Sequence, residues 1–322
     1  MNKLATITGF LGAVRNRYMQ YQSDRPLDAK FALAARIEGL DGLELCYPAD
    51  FADYEQLRSL LERYGLGVSA INFRSRRTGK WLRGSFTSER AIERQEAVDD
   101  MRRAMDYAAD LGCYRVTTCP LNEGHDYPFE VDYDRLYDYA EQSFAALCAH
   151  DPQVRVCIEY KWNDPRGRCF LATAGETLAF CQTVGAPNLG VTLDIGHSLL
   201  AKERPAQAVA LLARAGRLFY VHLNDNDRNW DWDMIPGAYH LWEFVEFFYY
   251  LFRAGYTDDW YGYDVFPKEF DTAETFTTAF EITRQLEALS GRIDAERLAA
   301  LTARRNPAPS LAYIYLLLQG KL

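Results

Sequence analysis

The sequence lacks the Cys-x-x-Cys pairs of structural zinc sites, the glycine-rich phosphate loops Gly-x-Gly-x-x-Gly and Gly-x-x-x-x-Gly-Lys-Ser/Thr, and an excess of positive charge. Its seven cysteines are odd in number, so we expect buried free thiols in a reducing compartment rather than disulfides. A doubly wound open sheet is the rival fold, but it usually carries a glycine-rich loop. The net charge of −9 argues against nucleic acid as the main partner.

Long apolar runs are also missing. None reaches the roughly 18–20 residues that a membrane-spanning helix needs. The first residues lack the apolar core and the cleavage site of a signal peptide. We therefore expect a cytoplasmic protein without a membrane partner.

The chain does contain a regular alternation of strand-like and helix-like segments. Eight apolar, β-branched runs are predicted strands: "KLATITGFL", "GLELCY", "GVSAINF", "YRVTTCP", "RVCIEYK", "GVTLDIGH", "FYVHLND" and "WYGYDVF". The helical stretches begin at "DAKFALAARIEG", "EAVDDMRRAMDY", "YDRLYDYAEQSF", "AGETLAFCQTVG", "PAQAVALLARAG", "LWEFVEFFYYLF" and "AETFTTAFEITR". Eight strand–helix units over about 250 residues predict an α/β fold, a (β/α)8 TIM barrel.

We assign the barrel to residues 1–291. Residues 292–322 read as a C-terminal helical extension around two prolines, packed on the barrel or on a neighbouring subunit.

Candidate ligands cluster at the ends of the last four predicted strands. In a barrel, chemistry lies where strands end and the following loops begin, and inward-facing residues alternate along each strand. Glu159, Asp194, His222 and Asp264 therefore converge on one point. Three carboxylates facing each other would repel strongly without a cation. The set predicts a divalent metal site, with Mn²⁺ first and Mg²⁺ or Co²⁺ as the other candidates.

The loop after the seventh strand, "NDNDRNWDWD", carries further carboxylates. Asp231 and Asp233 can fold back over the barrel mouth. Together with Asp194 and His197 they predict a second metal position that Asp194 bridges, so the site holds one or two ions. We assign Asp225 and Asp227 to the ordinary structure of the loop, and we expect Glu44 to hydrogen-bond a ligand from outside the metal sphere.

Residues for substrate contact are expected around the mouth. "RSRRTGKWLRGSFTSER" after the third strand is a long basic loop that suits a lid or rim. Arginines near the early strand ends, Arg15, Arg17 and Arg74, are candidates to meet a phosphate or carboxylate on a substrate. Our predicted substrate-binding residues are Trp81, His125, Trp162 and Arg74.

At these positions the chain resembles the xylose isomerase-like barrel superfamily of sugar isomerases, ketose 3-epimerases and endonuclease IV. Its aldose–ketose isomerases carry Glu-x-Lys on strand five, an acid and a His three residues later on strand six, an acid or His followed by Asp-x-Asp on strand seven, and Asp on strand eight. The rhamnose isomerase branch also uses His on strand seven. The matching positions are Glu159, Lys161, Asp194, His197, His222, Asp231, Asp233 and Asp264.

The resemblance implies a divalent-metal-dependent sugar isomerase, an intramolecular oxidoreductase that interconverts an aldose and a ketose. Its catalytic residues would be Lys161, His197, Glu159, Asp231 and Asp233. Endonuclease IV needs a trinuclear zinc site with more histidines than the five present.

Three other functions stay open. A ketose 3-epimerase shares most of the metal ligands but ends with Glu on strand eight. The catalytic subunit of a C-glycoside deglycosidase would act with a small β-rich partner, and a non-catalytic barrel would only bind sugar. The expected partner is a small-molecule sugar, and a homo-oligomer stays open.

Overall fold

The computed structural model describes residues 1–16 and 18–321, in which eight parallel strands close into a barrel in chain order. The predicted TIM barrel is therefore confirmed, and the open sheet is excluded. The barrel strands are β1 (Lys3–Ile7), β2 (Gly42–Tyr47), β3 (Gly67–Phe73), β4 (Arg115–Thr118), β5 (Arg155–Glu159), β6 (Leu189–Asp194), β7 (Leu218–Leu223) and β8 (Trp260–Tyr263).

Helices cover the outside of the barrel in the order that the strand–helix alternation predicts. They are α1 (Leu27–Ala34), α2 (Tyr54–Tyr64), α3 (Ala91–Asp110), α4 (Tyr133–His150), α5 (Ala174–Val184), α6 (Ile195–Leu200), α7 (Pro205–Arg214), α8 (Leu241–Arg253), α9 (Thr272–Gly291), α10 (Ala295–Thr302) and α11 (Pro307–Leu318). The helical stretches named above do not include α2 or the short α6. For α2 the local signals are clear, because Asp53 caps its first turn and Gly65 ends it in a left-handed conformation.

Hydroxyl side chains form hydrogen bonds with one another inside the barrel. Thr117 and Thr192 share a hydrogen bond of 2.8 Å across it, and the Tyr220 hydroxyl donates to Ser69 Oγ at 2.9 Å. These hydroxyls are fully or almost fully buried. Because each hydroxyl has a hydrogen-bond partner, these buried polar groups are compatible with a stable fold. The polar interior continues to the carboxyl ends of the strands.

The loops at the carboxyl ends are tied to one another. The buried Glu123 carboxylate, in the β4–α4 loop, accepts hydrogen bonds from the backbone N–H groups of Ser85, Phe86 and Thr87 at 2.8, 3.0 and 3.2 Å. Residues 124–125 also pair with residues 168–169 as a short antiparallel ladder. The predicted basic lid, within the β3–α3 loop, is therefore anchored to its neighbour.

The C-terminal helices α10 and α11 are present as predicted. Tyr313, Ile314 and Leu317 of α11 are buried, and the Tyr315 ring meets Trp242 of α8 edge-on at 4.9 Å between centroids. The extension thus packs on the barrel's own outer helix, while its treatment as a separate unit stays a prediction. Over residues 1–16 and 18–321, we find no helix with the length and apolar character that a bilayer crossing demands.

Candidate active site

Strand register brings the four predicted ligands to one place. Asp194 on β6 lies directly beside His222 on β7 in the parallel ladder, and Glu159 ends β5 beside Thr192. Asp264 follows β8 immediately. One ligand atom from each of Glu159, Asp194, His222 and Asp264 lies within 4.8 Å of the others, and we call this group the four-residue cluster. The structure thus assembles the group that the strand ends predict.

The orientation of His222 is set by an acid beneath it. Its Nδ1 faces the cluster, 3.2 Å from Glu159 Oε1, whereas its Nε2 lies 2.9 Å from Glu44 Oε2. Asn72 donates to the other oxygen of Glu44 at 2.6 Å. A carboxylate that accepts the Nε2 proton leaves Nδ1 as the free lone pair, which is the arrangement of a metal-bound imidazole. Glu44 thus occupies the supporting position that the sequence predicts.

Asp194 is held by two donors that fix its carboxylate. It caps helix α6, with Oδ1 accepting the N–H of His197 at 2.9 Å, and Oδ2 accepts from Asn224 Nδ2 at 2.8 Å. A glycine is required alongside, because a Cβ at Gly196 would lie 1.9 Å from Asn224 Oδ1. The side chain is therefore positioned before any ligand arrives.

The electrostatics of the cluster favour a bound cation. Burial and the charges of Glu159 and Asp194 raise the pKa of Asp264 to about 7. Burial, with Glu159 adding to it, also raises the pKa of Asp194 to about 6. Burial acts to raise the pKa of Glu159, but His222, His197 and Arg74 together outweigh it and lower that pKa. Two buried carboxylates, the half-buried Asp264 and an imidazole nitrogen with a free lone pair fit a divalent cation by charge and by donor type.

A second group of charges lies against the cluster. Lys161 Nζ lies 2.6 Å from Asp231 Oδ2 and 3.1 Å from Asp164 Oδ2. His197 Nε2 lies 3.2 Å from the same Asp231 oxygen. Despite the opposing effect of burial, Lys161 and His197 lower the pKa of Asp231. Asp194 and Asp231 raise the pKa of His197 to about 9, again against the effect of burial.

The predicted second metal position is not assembled. Of the residues the structure describes, those in groups with ligand atoms within 4.8 Å of one another do not include Asp231 or Asp233. Asp231 instead pairs with Lys161 and His197, so the protein's own cationic groups offset its charge. Metal ligation by these two carboxylates stays a prediction.

Asp233 is an acid without a partner at the edge of the site. Its Oδ1 is buried and makes no hydrogen bond, and burial together with Asp231 and Asp264 raises its pKa well above the usual range. Its backbone carbonyl accepts from the N–H of Phe266 at 2.8 Å. The side chain is thus suited to hold a proton.

Among the predicted substrate-binding residues, Arg74 lies near two acids of the four-residue cluster, Asp264 and Glu159. It follows β3, and its Nη2 lies 3.7 Å from Cys46 Sγ. Burial acts to lower the pKa of this guanidinium, but the nearby Cys46, Asp264 and Glu159 raise it. Arg74 therefore brings a fixed positive charge next to the four-residue cluster.

The other predicted substrate-binding residues lie in different surroundings. Trp81 is 2% exposed, with Arg77 Cζ and Lys80 Nζ at 4.9 and 4.3 Å from its ring centroid, a position that suits packing under the basic loop rather than contact with a sugar. Trp162 is exposed and carries Arg168 over its ring, and His125 lies 3.3 Å from the Tyr133 hydroxyl. Their predicted roles are not tested. Arg17 lies outside the described residues.

The two loop carboxylates assigned to ordinary structure have local partners. Asp225 accepts from the backbone N–H of Tyr239 at 2.7 Å and lies 2.7 Å from His240 Nδ1. Asp227 accepts from the N–H of Asn229 at 3.0 Å. The acids of "NDNDRNWDWD" thus divide into two that shape the loop and two that approach the site.

The family assignment agrees with this geometry. A family model described as the xylose isomerase-like TIM barrel matches residues 31–286. The chain belongs to this family. The resemblance that the motifs indicate is therefore confirmed at the level of the family.

A curated relative matches part of the chain at lower than 30% sequence identity. A xylose isomerase of Thermus thermophilus is 29% identical over 192 residues, which are 58% of this chain and 50% of that protein. The aligned part thus spans about half the length of that curated relative.

Solved structures show the same barrel. An L-ribulose 3-epimerase aligns with a TM-score of 0.68 at 21% identity, covering 95% of this chain and 100% of that chain. A D-allulose 3-epimerase from Methylomonas sp., solved with D-allulose, aligns with a TM-score of 0.68 at 18% identity, covering 88% and 96%. At these identities the likeness establishes the fold.

Sequence reasoning missed one group at the site of this xylose isomerase-like barrel. All seven cysteines are free, as predicted, but Cys113 and Cys119 are only half-buried. The Cys119 thiol lies within 4.8 Å of ligand atoms of Glu159 and His197. The available signal was its place at the end of "YRVTTC", the fourth strand, where a barrel presents residues to its mouth.

Proposed function

We propose that the protein is a divalent-metal-dependent sugar isomerase that interconverts an aldose and a ketose by moving hydrogen between adjacent carbons. The observation that carries the proposal is the four-residue cluster at the barrel mouth, with Lys161 and Asp231 beside it. Mn²⁺ is the first candidate ion, because oxygen donors with one imidazole suit it.

We assign a separate role to each residue of the site. Glu159, Asp194, His222 and Asp264 would hold the cation, which when bound polarises a sugar carbonyl as a Lewis acid. Lys161, fixed by Asp231, points a buried ammonium at the site and stabilises negative charge that develops on the carbonyl oxygen. Arg74, which follows β3, adds a second positive charge beside the cluster. There it would orient substrate oxygens.

Proton transfer would use the titratable groups beside the four-residue cluster. His197, whose pKa is raised to about 9, holds a proton next to Asp231 that it can donate to a substrate oxygen and take back. Asp233, with an unpartnered buried oxygen, can donate a proton at the same edge.

Support also comes from the relatives. The Thermus thermophilus protein is named a xylose isomerase, and the solved neighbours include an L-ribulose 3-epimerase and a D-allulose 3-epimerase. All of these names denote sugar isomerases or epimerases. They support an enzyme of this kind without fixing which sugar or which carbon reacts.

A ketose 3-epimerase is the second candidate, and one contact favours it. Because Lys161 and His197 already pair with Asp231, the described residues do not bring Asp231 and Asp233 into a convergent ligand group with Asp194 and His197. A single cation with acids from two different strands, Glu159 at the end of β5 and Asp264 after β8, would suit a reaction in which a proton leaves one face of a carbon and returns to the other.

The test is product analysis. Purified protein with Mn²⁺ is incubated with a panel of aldoses and ketoses, and the products are identified by NMR. We expect aldose–ketose exchange; in deuterated water, hydrogen kept at the neighbouring carbon indicates direct transfer. Ketose-to-ketose inversion at C3 would assign the epimerase instead.

Two substitutions test whether turnover depends on the four-residue cluster. Glu159→Gln and Asp264→Asn should abolish turnover and lower Mn²⁺ affinity. Asp138→Asn, an exposed carboxylate on the outer helix α4, serves as the matched control and should change neither. Absence of turnover on every sugar with Mn²⁺, Mg²⁺ and Co²⁺ would contradict the proposal and favour a sugar-binding barrel or a deglycosidase that needs its partner.

A further inference from the structure

Arg74 carries a guanidinium whose hydrogen-bonding capacity is largely unused. It directly follows β3 and is half-buried, so a ligand can still reach it. Its Nη2 lies 3.7 Å from Cys46 Sγ, and a thiol is a weak acceptor. Across residues 1–16 and 18–321, its side chain has no other hydrogen-bond partner and forms no ion pair. A guanidinium offers five N–H donors, so most of them are free for a ligand.

Other cationic side chains of the barrel contact an acid directly. Arg115 Nη2, at the amino end of β4, lies 2.7 Å from Asp259 Oδ1. Lys161, at the same mouth as Arg74, lies 2.6 Å from Asp231 Oδ2. Charges that are removed from water are normally paired in this way. Arg74 therefore differs from both, because the described part of the chain supplies no acid in contact with it.

The guanidinium lies on the side of the mouth that faces the proposed catalytic groups. A Cβ at Gly9, in the turn after β1, would lie 3.6 Å from Arg74 Nη2, and Cys46 belongs to β2. In a closed barrel of eight strands in chain order, β1 and β2 lie opposite β5 and β6. Lys161 follows β5 and His197 follows β6. A ligand held by Arg74 thus extends across the mouth toward these two residues.

We propose that the substrate is a sugar acid whose carboxylate is bound by Arg74 at the end remote from the reacting carbons. This inference rests on the proposed function, since it names the class of sugar that the same site takes. The planar guanidinium presents two parallel N–H groups that match the two oxygens of a carboxylate. A neutral sugar offers only a hydroxyl at that end, and it would leave the charge of Arg74 unpaired.

Matched ligands that cannot isomerise test the proposal. L-Gulonate and D-glucitol differ only at one end, where the first has a carboxylate and the second a hydroxymethyl group; L-galactonate and galactitol form a second such pair. Their affinities for the full-length protein are measured by isothermal titration calorimetry, with and without Mn²⁺. We expect the acid to bind about 10–100-fold more tightly than the neutral partner in at least one pair, as is typical of hydrogen bonds to charged groups.

Variants assign this preference to one side chain. In Arg74→Gln the ratio of the two affinities should fall to near 1. Arg74→Lys, which keeps the charge but lacks the planar fork, should retain an intermediate ratio. Arg58→Gln removes an exposed arginine of α2 and should keep the wild-type ratio. If Arg74→Gln does not fold, the ratio in Arg74→Lys decides, and a value equal to that of the wild-type protein would contradict the proposal.

Three results would overturn the assignment. The first is equal affinity for acid and neutral ligand in both pairs. The second is a preference that survives in Arg74→Gln, which would indicate that Mn²⁺ or another group binds the carboxylate. The third is tighter binding of D-glucitol 6-phosphate than of L-gulonate, which would make the substrate a sugar phosphate. None of these ligands is turned over, so failure of the isomerase assay and failure of this inference are separate outcomes.

Discussion

A single hydrogen bond decides which nitrogen of His222 faces the site. Glu44 Oε2 lies 2.9 Å from Nε2, and both side chains are fully buried. Without that acceptor, the imidazole could carry its proton on Nδ1 and would then present a donor to the carboxylates. Glu44 therefore acts on a cation through His222 and touches no ligand itself.

Removing the Glu44 carboxylate should weaken metal binding, while the protein still folds into the barrel. We expect Glu44→Ala to lower Mn²⁺ affinity by about 10–100-fold, because the tautomer and orientation of His222 are no longer fixed. Glu44→Gln should restore most of the affinity, since its amide oxygen still accepts from Nε2. Isothermal titration calorimetry measures both, with the exposed Glu55→Gln on α2 as control. Equal affinities for Glu44→Ala and the wild-type protein would exclude a positioning role.

Lys161 is the residue whose loss should separate catalysis from metal binding. Its ammonium contacts Asp231 and Asp164 rather than the four-residue cluster. We expect Lys161→Met to reduce kcat by about 10²–10³-fold, the cost of losing one preorganised charge at a developing oxyanion. Mn²⁺ affinity should change little. Steady-state kinetics with parallel calorimetry distinguishes this outcome from a sugar-binding barrel, in which Lys161→Met leaves every measured property intact.

At the scale of elements, the register of β7 and β8 makes room for the buried histidine. Gly262 of β8 lies beside His222 in the ladder. A Cβ at Gly262 would lie 2.6 Å from the Tyr220 hydroxyl, 2.7 Å from His222 Cδ2 and 3.0 Å from Glu44 Oε2. The strand must therefore lack a side chain here for the His222–Glu44 pair to fit.

Gly262→Ala should damage both stability and the site. Overpacking of a close-packed interior typically costs about 1–3 kcal/mol, and here it displaces a candidate ligand as well. We expect a lower melting temperature by calorimetry and weaker Mn²⁺ binding. Gly175→Ala in α5 is the control, because no atom lies within 4 Å of its added Cβ, and it should be neutral or stabilising. An unchanged Mn²⁺ affinity in Gly262→Ala would contradict this account.

At the scale of the whole molecule, the barrel gathers acids from distant parts of the chain into its interior. Glu44 and His222 are 178 residues apart in sequence. In the folded protein Asp264 holds its proton up to about pH 7, well above its ordinary pKa of 3.8. Its contribution to stability is therefore present below about pH 4 and is lost as the pH rises through 7, because the folded state binds more protons than the unfolded state.

A cation at the four-residue cluster should reverse this dependence. Mn²⁺ requires ionised carboxylates, so its affinity rises with pH through about 7, as Asp264 gives up its proton. At a concentration about 100 times its Kd, an ion that binds only the folded state adds about 2.7 kcal/mol of stability. We expect the Mn²⁺-induced rise in melting temperature to be larger at pH 8 than at pH 5. Asp264→Asn should reduce that difference, and an equal rise at both pH values would contradict the assignment.

The sequence by itself determined the repeating strand–helix order and the strand ends that carry ligands. Period-2 alternation gives the inward-facing residues of each strand, and the barrel predicted from eight strand–helix units then brings Glu159, Asp194 and His222 to one point. Capping residues, another local signal, mark α2, a stretch absent from our prediction. Trp81, an aromatic in a basic loop, gave no local sign that it would be buried.

Only the tertiary structure decided how the charges pair. Lys161 and Asp231 lie on different loops, and their 2.6 Å contact follows from where those two loops meet above the barrel. The same holds for the Cys119 thiol beside Glu159 and His197. Sequence patterns report which face of a strand a residue takes, whereas the partner of a long or loop-borne side chain depends on three-dimensional distances that no local periodicity encodes.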